Sequence, residues 1–229
     1  MIHRKRKANA RMIEWLCQDY ESILYDGSGK MSVIRGKVYD YLGMSLDYTF
    51  CGQVRITMPG YIKDILTAFD KADTKGKSTK SSATTNKMFL VDKDCKRLDQ
   101  VKVVDFQNLV AKTLYATKRA IPDTCTSIAY LTTRIQAPND KDWDKLVHLM
   151  QYIRVTRKLS LTLTVNGSEI LKWWVGALFA VHINMRVYSG GGLSLGRGFP
   201  IVISTEQKLN TKTFTETEVF GVDYLIPDI

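Results

Sequence analysis

At 229 residues the chain has room for one large domain or two small ones, and an ordinary 45% hydrophobic content permits a buried core. Its 33 basic residues against 23 acidic ones give a net charge of +10, an excess that favours polyanionic partners and equally serves solubility. No run of about 18 apolar residues exists, which excludes a membrane-spanning helix. The basic N-terminus lacks the apolar stretch of a signal peptide. The cysteines (Cys17, Cys51, Cys95, Cys125) are dispersed without a CxxC pair, so structural zinc and a disulfide framework are not expected, and an intracellular, reduced setting fits.

The predicted elements begin with a basic arm, His3, Arg4, Lys5, Arg6, Lys7 and Arg11, readable as a solvated helix start or as a phosphate-contacting patch. Met12, Ile13, Leu16, Tyr20, Ile23 and Leu24 recur at helical spacing and predict a helix through Tyr25, ended by the turn Asp26-Gly27-Ser28-Gly29. Residues 38–46 and 53–58 read as two strands joined through Cys51-Gly52. Pro59 opens a helix whose apolar face is Tyr61, Ile62, Ile65, Leu66 and Phe69. Residues 71–88 are small, polar and basic, as expected of a loop or linker. Helices are predicted over 104–116, 124–136 and 140–154, the last capped by Asn139 or Asp140.

Beyond Arg157 the pattern turns to strands. Leu159, Leu161, Leu163 and Val165 alternate, and Asn166-Gly167 predicts a hairpin turn into a strand over 170–180. Strands over 191–195 and 199–204 follow, then a helix over 215–225 with Thr215 and Glu218 as its capping box. The order predicts an α+β fold with a helical middle.

The stretch from Trp173 to Asp223 (WWVGALFAVHINMRVYSGGG…STEQKLNTKTFTETEVFGVD) resembles the start of the ribonuclease H segment of copia-type retrotransposon Pol polyproteins. Upstream, Tyr41-Leu42-Gly43-Met44, Met58-Pro59-Gly60-Tyr61-Ile62, Leu114-Tyr115-Ala116-Thr117-Lys118-Arg119, Leu131-Thr132-Thr133-Arg134 and Asp142-Trp143-Asp144-Lys145-Leu146 are similar, in order, to the thumb region of that family's reverse transcriptase. The resemblance implies three regions. Residues 1–58 would be the end of the palm with a primer-grip-like hairpin at Tyr41–Met44, and residues 59–158 a helical thumb. Residues 159–229 would begin a ribonuclease H-like mixed sheet with a C-terminal helix.

It also implies RNA-directed DNA synthesis with ribonuclease H for the parent polyprotein, using magnesium. This chain departs from the pattern where chemistry resides. The polymerase signature YVDD is absent. Gly176 stands where the family has its first metal-binding aspartate, while Glu218 matches the helix glutamate, and one carboxylate is a poor magnesium site. Val187-Tyr188-Ser189 replace Ser-His-Thr, and Glu206, Phe214 and Ile121 replace lysine, serine and arginine, which reads as drift after activity was lost.

The expectation is therefore a catalytically silent fragment with no bound cofactor. Its partners would be RNA, DNA or RNA–DNA hybrid and the remaining polyprotein segments, with no membrane. The alternative is a domesticated, non-catalytic nucleic-acid-binding protein. Arg35, Lys37, Lys118, Arg119, Lys208 and Lys212 are the candidate phosphate contacts, each also readable as a solvated surface charge. His182 reads better as a structural histidine than as a general base, and the glycines at 190–192 and 196–198 as turns rather than a phosphate loop. Of Trp173 and Trp174, adjacent in a strand, at most one can face a given partner.

Overall fold

The structure, a computed structural model, describes residues 6–21, 33, 35–73, 80–85, 87–92, 94–167, 170–178, 187–207 and 211–225. The chain divides into two compact units, Met1–Lys37 and Val38–Ile229. In the first, helix α1 (Arg6–Glu21) carries Trp15 and Tyr20 largely exposed. His3, Arg4, Lys5 and the predicted turn at 26–29 lie outside the described residues.

The second unit opens with three antiparallel strands, β1 (Val38–Tyr41), β2 (Met44–Asp47) and β3 (Gln53–Thr57). The single strand expected over 38–46 is a hairpin. Leu42 (φ 50°) and Gly43 (φ 77°) both take left-handed backbone, the geometry of a two-residue type I′ turn whose twist matches its flanking strands. Pro59 opens helix α2 (Pro59–Ala72), which buries Ile62, Ile65, Leu66 and Phe69 as its periodicity predicts. Helices α3 (Gln100–Thr117), α4 (Cys125–Thr133) and α5 (Asp140–Thr156) follow, with a short 3-10 turn at Pro122–Thr124. The 71–88 stretch is not a free linker: Ala83 and Met88 are buried in the helical core, and Ser127 Oγ donates to Ala83 O at 2.7 Å.

Strand β4 (Leu161–Val165) departs from expectation. Gly167 turns the chain (φ 75°), yet β4 does not form a hairpin with the strand that follows. It pairs with β3, placing Leu163 opposite Val54 and Leu161 opposite Ile56 as apolar cross-strand pairs. Its other edge takes the two-residue β7 (Gly196–Arg197), completing a sheet ordered β1-β2-β3-β4-β7.

Strands β5 (Lys172–Leu178), β6 (Tyr188–Ser194) and β8 (Ile201–Glu206) make a second sheet, ordered β5-β6-β8, on which helix α6 (Phe214–Leu225) packs. This sheet was expected to be mixed, but among the described residues every pairing is antiparallel. A parallel partner for β5 requires a crossover helix followed by another strand, and α6 is the last element described. Residues 159–229 thus supply strands to both sheets.

The capping of α6 also differs from expectation. Thr213 Oγ1 accepts from the Glu216 N–H at 3.1 Å and Glu216 Oε2 accepts from the Lys212 N–H at 2.7 Å, two residues before the predicted box. The main core is helical, built on Phe69, Phe106, Ile128, Leu131, Leu146 and Ile153. Tyr188 ties the second sheet to this body through the Phe89 ring at 5.1 Å, and Val187 beside it is also buried. Among the described residues, no helix is long and apolar enough to cross a membrane.

Candidate nucleic-acid interface

The Tyr41–Met44 turn is held from below by α3. Tyr115 Oη donates to Leu42 O at 2.9 Å, and the Tyr115 ring lies 5.1 Å from that of Tyr61 on α2. A Cβ at Gly43 would sit 3.6 Å from Met58 Cε, so the turn rests on the residue that enters α2. Tyr41 and Leu42 remain exposed at the tip. An exposed leucine in left-handed backbone costs about 1–2 kcal/mol, and the Tyr115 bond to its carbonyl fixes that conformation. The result is a rigid apolar tip presented by two strands. Tyr115 is the positioning residue that sequence reading did not single out, although it lies inside a quoted motif.

Lys118 and Arg119 close the other end of Tyr115. The Arg119 guanidinium stacks 3.6 Å from the Tyr115 ring centroid, and its Nη1 donates to Tyr115 O at 3.2 Å. Lys118 Nζ donates to Val202 O at 3.3 Å, linking α3 to β8. Both line a cleft of about 160 Å³ with Phe199 and Pro200. Lys118 therefore also holds α3 to the second sheet, whereas Arg119 is engaged with Tyr115 of its own helix. Lys212 is exposed at the start of α6, and Arg35 and Lys37 are exposed within the first unit. Lys208 and His182 lie outside the described residues. Within the second unit, Lys118 and Arg119 stand side by side at the end of α3.

The motif at 142–146 is structural. Asp142, almost fully buried, accepts from Arg134 Nε at 3.0 Å and lies 3.7 Å from Lys145 Nζ. Lys145 Nζ donates to Tyr130 Oη at 2.9 Å and to Leu90 O at 2.6 Å. Burial pulls the Lys145 ammonium below its ordinary pKa while Asp142 works the other way, and burial together with nearby Asp142 pushes the Tyr130 phenol up to about 12. A charged lysine bound to a carbonyl, a phenol and a carboxylate is satisfied rather than reactive.

On β5, Gly176 lies on the exposed face with Trp174 and Leu178, while Val175 and Ala177 face α6. Glu218 Oε1 reaches the strand and accepts from the Ala177 N–H at 3.3 Å. A Cβ at Gly176 would meet nothing within 4 Å, so a larger side chain would fit there without a clash. Beneath the sheet, Gln207 Nε2 donates to Ser189 Oγ at 2.5 Å and to Thr217 O at 3.2 Å, locking β6, β8 and α6 together. Among the described residues, no three His, Cys, Asp or Glu side chains cluster as metal ligands. A single half-buried carboxylate already accepting a backbone N–H does not make a magnesium site, so no metal-dependent step is assigned. Comparison of the chain with known protein families, curated proteins and solved structures finds no match.

Proposed function

We propose that this chain is a segment of a copia-type Pol polyprotein, comprising a primer-grip-like hairpin, a helical thumb and the opening of a ribonuclease H-like domain, and that it binds RNA–DNA hybrid without cutting it. One observation carries the reading. Three antiparallel strands are followed by a helix whose Glu218 reaches the first strand one residue from Gly176, the layout expected for the family's carboxylate pair with one member replaced by glycine. The net charge of +10 supports a polyanionic ligand, and the apolar hairpin tip at Tyr41 and Leu42 supports contact with a nucleic-acid end.

The test is equilibrium binding of the full chain to an RNA–DNA hybrid across a salt series, with and without magnesium. A fourfold rise in salt should weaken binding about tenfold if two phosphates are neutralised. The hybrid should stay intact with magnesium present. Binding that is absent or indifferent to salt would overturn the binding half of the proposal. Magnesium-dependent cleavage by the unaltered chain, no greater in Gly176→Asp, would overturn the silent-centre half.

A further inference from the structure

The last turn of α3 ends in two adjacent cations, and the cleft they share with β4 and β8 holds no counter-charge. Lys118, Arg119, Leu161, Phe199 and Pro200 are among its lining residues, and no Asp or Glu is. Among the described residues neither cation forms an ion pair. The C-terminal end of a helix carries about half a negative charge, which two full positive charges outweigh. The cleft therefore favours an anion.

Its volume decides what kind. About 160 Å³ has room for about five waters at roughly 30 Å³ each. Pockets that enclose a whole small molecule run to roughly 300–1,000 Å³. One phosphate group fits, and whatever carries it stays outside. Phe199, partly exposed, and Pro200 offer an apolar surface on which a sugar can rest. A phosphate carried on a strand meets these conditions better than a free nucleotide, most of which would remain in water.

Lys118 is already engaged, but weakly. Its Nζ donates to Val202 O at 3.3 Å, longer than the roughly 2.7–2.9 Å of an ammonium bound to an anionic oxygen. Cys125 Sγ donates to the same carbonyl at 3.8 Å. Burial pushes the Cys125 thiol up, so it stays protonated and able to donate. Val202 O therefore keeps a partner when the ammonium leaves. Val202 lies on β8, which pairs only with β6 in its sheet, so the Lys118 bond is one of the ties between the helices and that sheet.

We infer that this cleft seats a single phosphodiester of the bound strand between Lys118 and Arg119, and that Lys118 lets go of β8 to hold it. The inference rests on the hybrid-binding reading above. A phosphate oxygen offers Lys118 a negative charge in place of a neutral carbonyl. Arg119 uses Nη1 on Tyr115 O, and its guanidinium carries further N–H donors for the phosphate. Strand binding and the hold on β8 thus compete for one ammonium.

The experiment uses the full chain, an RNA–DNA hybrid, and the variants Lys118→Met and Lys118→Arg. Removing one phosphate contact should lower the salt exponent of binding by about one. A fourfold rise in salt should then weaken the Lys118→Met complex about threefold, where the parent complex weakens about tenfold. Lys118→Arg should keep the parent's exponent. Amide hydrogen exchange reads the hold on β8. Bound hybrid should speed exchange in β8 about fivefold, the ratio carried by one ordinary hydrogen bond. Lys118→Met should show that faster exchange without ligand and gain nothing more on binding. Inorganic phosphate alone, at matched ionic strength, should leave β8 unchanged. Failure of the hybrid to bind would sink the functional reading itself. Three outcomes would overturn the cleft's role while leaving hybrid binding intact: equal salt exponents in the parent and Lys118→Met, unchanged β8 exchange in the bound parent, or full release of β8 by inorganic phosphate.

Discussion

Asp142 combines three tasks in one buried carboxylate. It pairs with Arg134, compensates Lys145, and accepts from the Asn139 N–H at 3.1 Å while Asn139 Oδ1 takes the Asp142 N–H at 2.9 Å. Removing one partner of a buried ion pair leaves the other charge uncompensated, so Asp142→Ala should cost about 3–5 kcal/mol in urea unfolding. A loss under about 1 kcal/mol would show that Arg134 and Lys145 find other partners. The cap at Asn139 was legible in the sequence because capping is local, set by residues three apart. The ion-pair role of Asp142 was not, because Arg134 reaches it from the end of α4. The same contrast holds at Gly176. Its identity was legible, whereas the engagement of Glu218 with the Ala177 backbone required the packing of α6 on β5.

Glycine at the β4–β7 junction is a feature of elements rather than residues. Gly198 has φ 79°, and a Cβ there would fall 2.3 Å from Thr162 O, in the backbone of β4. Gly167 has a similar φ of 75° with open space around it. Gly167→Ala should therefore cost only the left-handed penalty, about 1–2 kcal/mol. Gly198→Ala should cost clearly more, since β7 must also part from β4; equal midpoints in urea for the two variants would contradict the described register. The helices were legible element by element, because Ile62, Ile65, Leu66 and Phe69 mark one face of α2 wherever it packs. Strand partners were not. Asn166-Gly167 signals a turn whether or not the flanking strands pair, and only the match of Leu161 and Leu163 with Ile56 and Val54 decides the sheet. At α6 two capping boxes overlap, Thr213 with Glu216 and Thr215 with Glu218. Thr213 caps the Glu216 N–H while the Glu216 carboxylate takes the Lys212 N–H, and Glu218 is left for β5.

Across the second unit, burial is uneven. The large fully buried side chains gather in the helices, whereas β5 alternates between half-buried and exposed residues and β6 is rich in glycine. Amide hydrogen exchange should therefore be slower in α3 and α5 than in β5 and β6, and uniform protection across them would contradict this order. The α+β class and helical middle could be read from the changing period of the apolar residues, but the strand order of the five-stranded sheet could not. That order has a consequence for synthesis. Strand β3 ends at Thr57, and its neighbour β4 begins at Leu161, more than a hundred residues later. At a ribosome moving about 5–20 residues per second, the free edge of β3 waits on the order of 5–20 s for its partner. Helices α2 and α3, whose contacts are closer in sequence, emerge during that interval, so the nascent chain has a helical body to fold before its sheet can close.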